Sequence, residues 1–454
     1  MKASLHYQDE LPTYDASIDS RPWSSGSKEI LTFLQHSRES FYLRGAQPTP
    51  LSYLLAGGLS SIHKSIVLIT PTEREAEKYI ENLSFFLGRD EQRSNSSLNN
   101  RIWHFPSRTG HKAQWLGKME ANARRLEALY ALRTAASPIL IVASVVGLLE
   151  LLPPPKVFLN QAQYLLPGEE INLEVMGQKL VELGYSHVSL VEEYGDFSRR
   201  GSILDIYAPL YKWPLRLEFF GDELESIRLF HPSTQRSMGT LEDLVLLPGS
   251  EIILDAAAKD RAREAVYEDV KSEKLTPTAG NVWLERIEEG YQTDSFEGLL
   301  PVFYERTATL FDYLDPSMVF VWSDTGEIRK ELNEFYGRLD QDAEKPSSPH
   351  EWNRPQASLY QQLDQFDRAV EDFQQICVGG FSSSTGKDFE IRAKSHDELA
   401  LAISSHPTKD RLLEPLARQF QKWQQEGVSS FLVCARKEQA KRLTELLNGY
   451  NIDV

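Results

Sequence analysis

Three alternations of apolar and polar residues in quick succession, over 202–207, 215–220 and 224–230, constrain the fold of this chain more than any other feature. A period of two is a strand signal, and Gly221-Asp222 between the second and third runs is a turn that pairs them as an antiparallel hairpin. In the middle run Leu215, Leu217 and Phe219 fall on one face, and Arg216, Glu218 and Phe220 on the other. Phe220 is therefore expected on the polar face. An exposed aromatic flanked by Arg216, with Arg200 entering the neighbouring strand, has the composition of a protein-binding hot spot. The competing reading has Phe220 covered by another part of the same chain.

The surroundings of these strands set the domain plan. Residues 1–27 are polar with scattered prolines and read as an extended arm. From 28 to 155 strands alternate with helices: strands at 41–43, 65–69, 102–105 and 139–142, helices at 51–59 and 116–134, and the capping-box signature Thr72-Glu73-Arg74-Glu75. This order implies a parallel sheet. Pro153-Pro154-Pro155 breaks the pattern, and 156–247, with a helix at 176–183 and the three strands, reads as a small α+β domain. The α/β character resumes over 248–339, with a helix at 255–271 and a strand at 318–322, as it would if the small domain were inserted into the α/β one. A linker is assigned to 340–385 and a small C-terminal α/β domain to 386–454, with helices at 410–425 and 437–447 and a strand at 429–434. The last residues, Asn451-Ile452-Asp453-Val454, read as the start of a strand, an expectation that the chain is the N-terminal piece of a longer protein.

Composition narrows the function classes. A chain of 454 residues exceeds one core, and a net charge of −17 argues against a surface that binds nucleic acid nonspecifically, which needs clustered Lys and Arg. Cys377 and Cys434 are the only cysteines, so there is no disulfide framework, and no apolar run has membrane-spanning length. These features predict a cytoplasmic protein without membrane partners.

The motifs of catalysis are missing. The first strand–loop–helix has the layout of a nucleotide-binding fold, yet its loop reads Arg44-Gly45-Ala46-Gln47-Pro48-Thr49-Pro50. A phosphate loop needs glycine N–H groups, a Lys for the terminal phosphates and a hydroxyl for magnesium. Here the Lys is absent and two prolines remove donors. Gly380 to Lys387 has glycine spacing one residue too long and Asp388 in place of the hydroxyl, so it reads as a loop. Dispersed histidines exclude the usual metal spacings. The helix with Arg124, Arg125 and Arg133 beside Leu126, Leu129 and Leu132 reads as amphipathic with a solvated basic edge. No catalytic residue, cofactor or metal site is assigned.

The run Arg200-Gly201-Ser202-Ile203-Leu204-Asp205-Ile206-Tyr207, followed by Leu215-Arg216-Leu217-Glu218-Phe219-Phe220-Gly221-Asp222-Glu223-Leu224-Glu225-Ser226-Ile227-Arg228, closely resembles the UvrA-binding domain shared by UvrB and the transcription-repair coupling factors, the Mfd family. Gly184-Tyr185-Ser186-His187-Val188 and the stretch from Glu193 to Gly201 are similar to the coupling-factor version. The interval 105–124 lacks the aromatic hairpin with which UvrB clamps DNA, and with the missing phosphate loop this favours the coupling factor. The resemblance implies a degenerate P-loop-type α/β domain interrupted by an α+β UvrA-binding domain. It implies UvrA contact by Arg200, Arg216 and Phe220, with Glu218 and Arg228 at the border of that face. It further implies a parent protein that is an ATP-dependent DNA translocase, with ATP and magnesium in a C-terminal motor, and with RNA polymerase and duplex DNA as partners of that C-terminal part. The alternatives are an active UvrB-like helicase subunit that binds ATP and damaged DNA, and a structural scaffold. The match weakens over 272–293.

Overall fold

Ile66-Val67-Leu68-Ile69 and Leu140-Ile141-Val142 are apolar on both sides of their pleat, so each strand requires cover on both faces. The computed structural model supplies that cover; it describes residues 25–87, 100–108, 117–290, 294–343, 348–379, 387–391, 393–405, 413–428, 430, 432, 437–450 and 452. Helix α1 (Ser25–His36) precedes β1 (Phe41–Arg44), α2 (Pro48–Ser61), β2 (Ile66–Thr70), α3 (Glu73–Leu87), β3 (Ile102–Phe105), α4 (Lys118–Thr134), β4 (Leu140–Ser144), α5 (Val145–Leu149) and α6 (Pro155–Leu159). A second group follows: β5 (Gln163–Leu165), α7 (Leu173–Glu182), β6 (Ser186–His187), β7 (Asp196–Arg200), β8 (Ile203–Ile206), β9 (Leu215–Phe220), β10 (Glu223–Phe230), β11 (Ser237–Leu241) and β12 (Leu244–Leu246). The chain then forms α8 (Ala256–Lys271), α9 (Pro277–Glu289), α10 (Leu300–Phe303), β13 (Val319–Trp322), α11 (Thr325–Ala343), α12 (Leu363–Glu371), β14 (Gln374–Val378), β15 (Lys387–Glu390), α13 (Asp397–Ser404), α14 (Glu414–Gln425) and α15 (Lys437–Asn448).

The fold is mixed α/β. A seven-stranded, wholly parallel sheet runs β15-β1-β14-β13-β2-β4-β3, and a separate six-stranded sheet runs β11-β10-β9-β8-β7-β6. Strand β13 returns beside β2 after the whole second group, in register Val319 with Ile66, so the α/β sheet is built from both sides of an insertion. The two sheets share one continuous apolar core that includes Val67 and Ile141 from the parallel sheet, Leu126 and Leu129 from α4, and Leu204, Leu217 and Phe219 from the second.

At the junction α4 carries a buried charge. Arg125 lies over the Phe105 ring at 4.2 Å and reaches Glu150 and Glu251 at 2.6 Å each, while Arg108 donates from its backbone to Glu150 and from its side chain to Glu251. Burial pushes the Glu150 carboxyl above its ordinary range, although Arg125 and Arg108 pull against it. Burial works in the same direction at Glu251, but there Arg108 and Arg125 outweigh it and hold the carboxyl below its ordinary value. Arg125 is thus not on the solvated basic edge expected for α4. An i, i+3 pattern of leucines does not reveal that an arginine on the same turn meets two acids from distant segments.

Two further expectations change. The linker read over 340–385 contains α12 and β14, and the small domain read from 386 opens with β15; both strands flank β1 in the parallel sheet. Gln374 and Gln375 open β14, which leaves an apolar run too short to signal a strand. Residues 272–290, where the family pattern weakens, include the whole of α9, capped by the Thr276 side chain on Ala279 N–H and ended by Gly290 at φ 76°. The arm up to 24, most of the strand read at 429–434, the loop 380–386 and the last residues except Ile452 lie outside the described residues. Among the described residues no helix is long and apolar enough to cross a membrane.

Candidate protein-binding face

Two tight hairpins at one end of the second sheet build this face. Arg200 pairs with Ile203 across Gly201-Ser202, and Phe220 with Glu223 across Gly221-Asp222, with Gly201 at φ 62° and Gly221 at φ 65°. Glycine takes such angles freely, so each turn closes in two residues. Because Ile203 also faces Glu218 on β9, Arg200, Glu218 and Phe220 lie close together at that end. Leu215, Leu217 and Phe219 are buried on the opposite side, while Phe220 is 73% exposed. The alternation places Phe220 in solvent, and no other part of the described chain covers it.

The five residues expected at the site have different surroundings. Arg200 is exposed, with one guanidinium nitrogen donating to the Ser189 carbonyl at 2.8 Å. Glu218 pairs with Arg228 at 2.9 Å and accepts from the Ser226 hydroxyl at 2.9 Å, a half-exposed pair next to Phe220. Arg216 lies deeper along the face, its side chain only 17% exposed. It makes a two-pronged contact with Asp205, Nε to Oδ1 at 2.7 Å and Nη2 to Oδ2 at 2.8 Å, and stacks 4.6 Å over the Phe230 ring. Those hydrogen bonds to Asp205 hold the guanidinium pKa above its usual value. Arg216 shares the face with Phe220 as expected, but most of its bonding capacity is spent inside the chain.

Two residues of this neighbourhood escape the sequence reading. Asp205 is a lone acid in the apolar run of β8, directly across from Arg216, and that register was the available signal. Gln235 sits in the β10–β11 connection at φ 59° and bonds Arg216 through both its backbone and its side chain. Nothing in one sequence marks it. Strand β7 was also missed, because Asp196-Phe197-Ser198-Arg199-Arg200 is largely polar.

The loop after β1 is tightly packed at its glycine. Gly45 has φ 70°, a side chain there would overlap the Ile391 carbonyl oxygen, and Ile391 N–H donates to Arg44 at 2.9 Å. The segment after β15 therefore packs directly against the Gly45 turn. Helix α2 opens with Pro48 and its Gln47 cap makes no side-chain bond. Among the described residues no group of His, Cys, Asp and Glu could hold a metal ion.

Residues 164–252 match the family model described as the UvrB interaction domain, a span that contains the whole face. The chain is similar to the transcription-repair-coupling factor of Myxococcus xanthus, 27% identical over 420 residues, which cover 90% of this chain and 35% of that protein. It is 31% identical over 192 residues to that of Mycobacterium bovis, covering 42% of this chain and 16% of the relative. Against the Escherichia coli factor the identity is 29% over 212 residues, or 46% and 18%. The likeness lies in the N-terminal part of these proteins, and the chain spans about a third or less of their length.

Proposed function

We propose that this chain, with its UvrB interaction domain and its likeness to the N-terminal part of transcription-repair-coupling factors, is a recruitment module that binds UvrA through the Arg200–Phe220 end of the second sheet. The observation that carries the reading is Phe220, an aromatic left 73% exposed on a tight hairpin with Arg200 and the Glu218–Arg228 pair around it. A desolvatable aromatic ringed by charge is the usual make-up of a hot spot. Its exposure also disfavours the scaffold alternative.

The chain itself has no catalytic or cofactor role in this reading. The Gly45 loop lacks a phosphate-binding Lys, and Ile391 crowds it, which disfavours the helicase-subunit alternative. ATP, magnesium, duplex DNA and RNA polymerase belong to the C-terminal part of a longer protein that couples transcription to excision repair as a DNA translocase. The deciding experiment is titration of purified UvrA against the chain and its Phe220→Ala variant. Saturable binding that the variant loses supports the reading, and equal binding by both refutes the assignment of the face.

A further inference from the structure

An arginine guanidinium has five N–H groups in a fixed plane. At Arg216, Nε–H and one Nη2–H go to Asp205; the second Nη2–H points to Gln235 Oε1 at 3.4 Å, and one Nη1–H to the Gln235 carbonyl at 3.3 Å. One N–H is left, on Nη1. Gln235 is itself fixed at φ 59°, a left-handed angle that costs a residue with a side chain. Its N–H donates to the His231 carbonyl at 2.7 Å and its Nε2 to the Pro232 carbonyl at 2.6 Å. A strained backbone braced from three sides around one guanidinium is more than a chain reversal requires.

We infer that Gln235 is a positioning residue of the binding face: with Asp205 it holds Arg216 through four of five N–H groups, so that a partner meets one aimed N–H there and not a fork. Arg216 then takes a single acceptor oxygen of the partner, while two-pronged capture of a carboxylate falls to exposed Arg200, whose hydrogen bond to Ser189 uses only one nitrogen. This inference rests on the recruitment reading of the face.

The test is calorimetric titration of UvrA against the parent chain and the variants Gln235→Gly, Arg216→Lys and Phe220→Ala, with a melting curve for each. Glycine adopts φ 59° without strain, so Gln235→Gly folds; a merely structural Gln235 gives a variant with equal or raised melting temperature and parental affinity. A positioning Gln235 gives the same melting behaviour with affinity weakened about fivefold, the worth of one net hydrogen bond. Arg216→Lys keeps the charge but cannot reproduce the planar fork, and it should weaken binding at least as much. Parental affinity in Gln235→Gly or in Arg216→Lys, beside a large loss in Phe220→Ala, overturns this inference and leaves the recruitment reading standing. Parental affinity in Phe220→Ala removes the reading of the face and this inference with it.

Discussion

Arg125 and Arg216 are both arginines that sequence patterning places at a helix or strand surface, and both are paired with buried acids. They differ in what remains. Arg125 is enclosed, its side chain 2% exposed, and it joins α4 to Glu150 after α5 and to Glu251 after β12. Arg216 is pinned on a face that otherwise opens to solvent, two residues from Glu218 and four from Phe220 along one strand. The first arrangement fixes how the inserted domain meets the parallel sheet. The second would give the proposed binding surface a stiff floor and leave its rim, Arg200, Phe220 and the Glu218–Arg228 pair, to make contact. On the proposed reading, paired charge serves architecture in one place and recognition in the other, and the depth of burial separates them.

The largest expected effect tests the architectural half. Arg125→Gln leaves the two buried carboxylates of Glu150 and Glu251 with Arg108 alone, and breaking a buried ion pair costs about 3–5 kcal/mol, so the urea midpoint should fall steeply. A change within about 0.5 kcal/mol would erase the distinction between the two arginines. Next in size is the recognition half. Phe220→Ala should cost about 2 kcal/mol of UvrA binding, roughly thirtyfold, with a melting temperature close to the parent's because the ring buries so little within the chain. Unfolding of that variant would instead move Phe220 to the architectural side.

Smaller effects follow from acid. Glu251 is held below the ordinary 4.5, so its stabilisation is in place above that value and is lost as pH falls through its folded-state pKa. Glu150 is raised, so its contribution has the opposite sense: present below 4.5 and lost as pH rises through the folded-state value. Unfolding free energies measured from pH 6 down to about 3 should therefore show a shallower acid-side loss in Glu251→Gln than in the parent. An identical acid-side slope would mean that Glu251 is not the group on which the junction depends. The smallest expected signal is none at all: calorimetric titration with magnesium-ATP should be flat, and saturable micromolar binding would overturn the reading of the Gly45 loop.

What could be read from the sequence divides along the same line. Period-two alternation sufficed for β9 and β10 and for the outward direction of Arg216, Glu218 and Phe220, because strand faces follow from local geometry. The alternation of strands and helices gave the parallel sheet. What one sequence could not show was pairing between distant segments: Arg125 with Glu251, Arg216 with Gln235, and β14 and β15 with β1. Each depends on a contact between segments that local patterning treats as independent, and β14 is further disguised by its two leading glutamines. Arg216 shows both sides of this limit. Its face was legible, whereas the internal partners of four of its five N–H groups were not.

Strand β1 has a consequence for the newly made chain. Its two neighbours in the sheet are β14 and β15, and Phe41 aligns with Ile376, 335 residues later. At a synthesis rate of about 5–20 residues per second, β1 waits roughly 15 to 70 seconds on the ribosome for its partners, with Phe41 and Leu43 still seeking cover. The second sheet has no such delay, since 196–241 pairs almost entirely with its immediate neighbours. The proposed binding face can therefore take shape during translation, while the domain that carries it is still open at its centre.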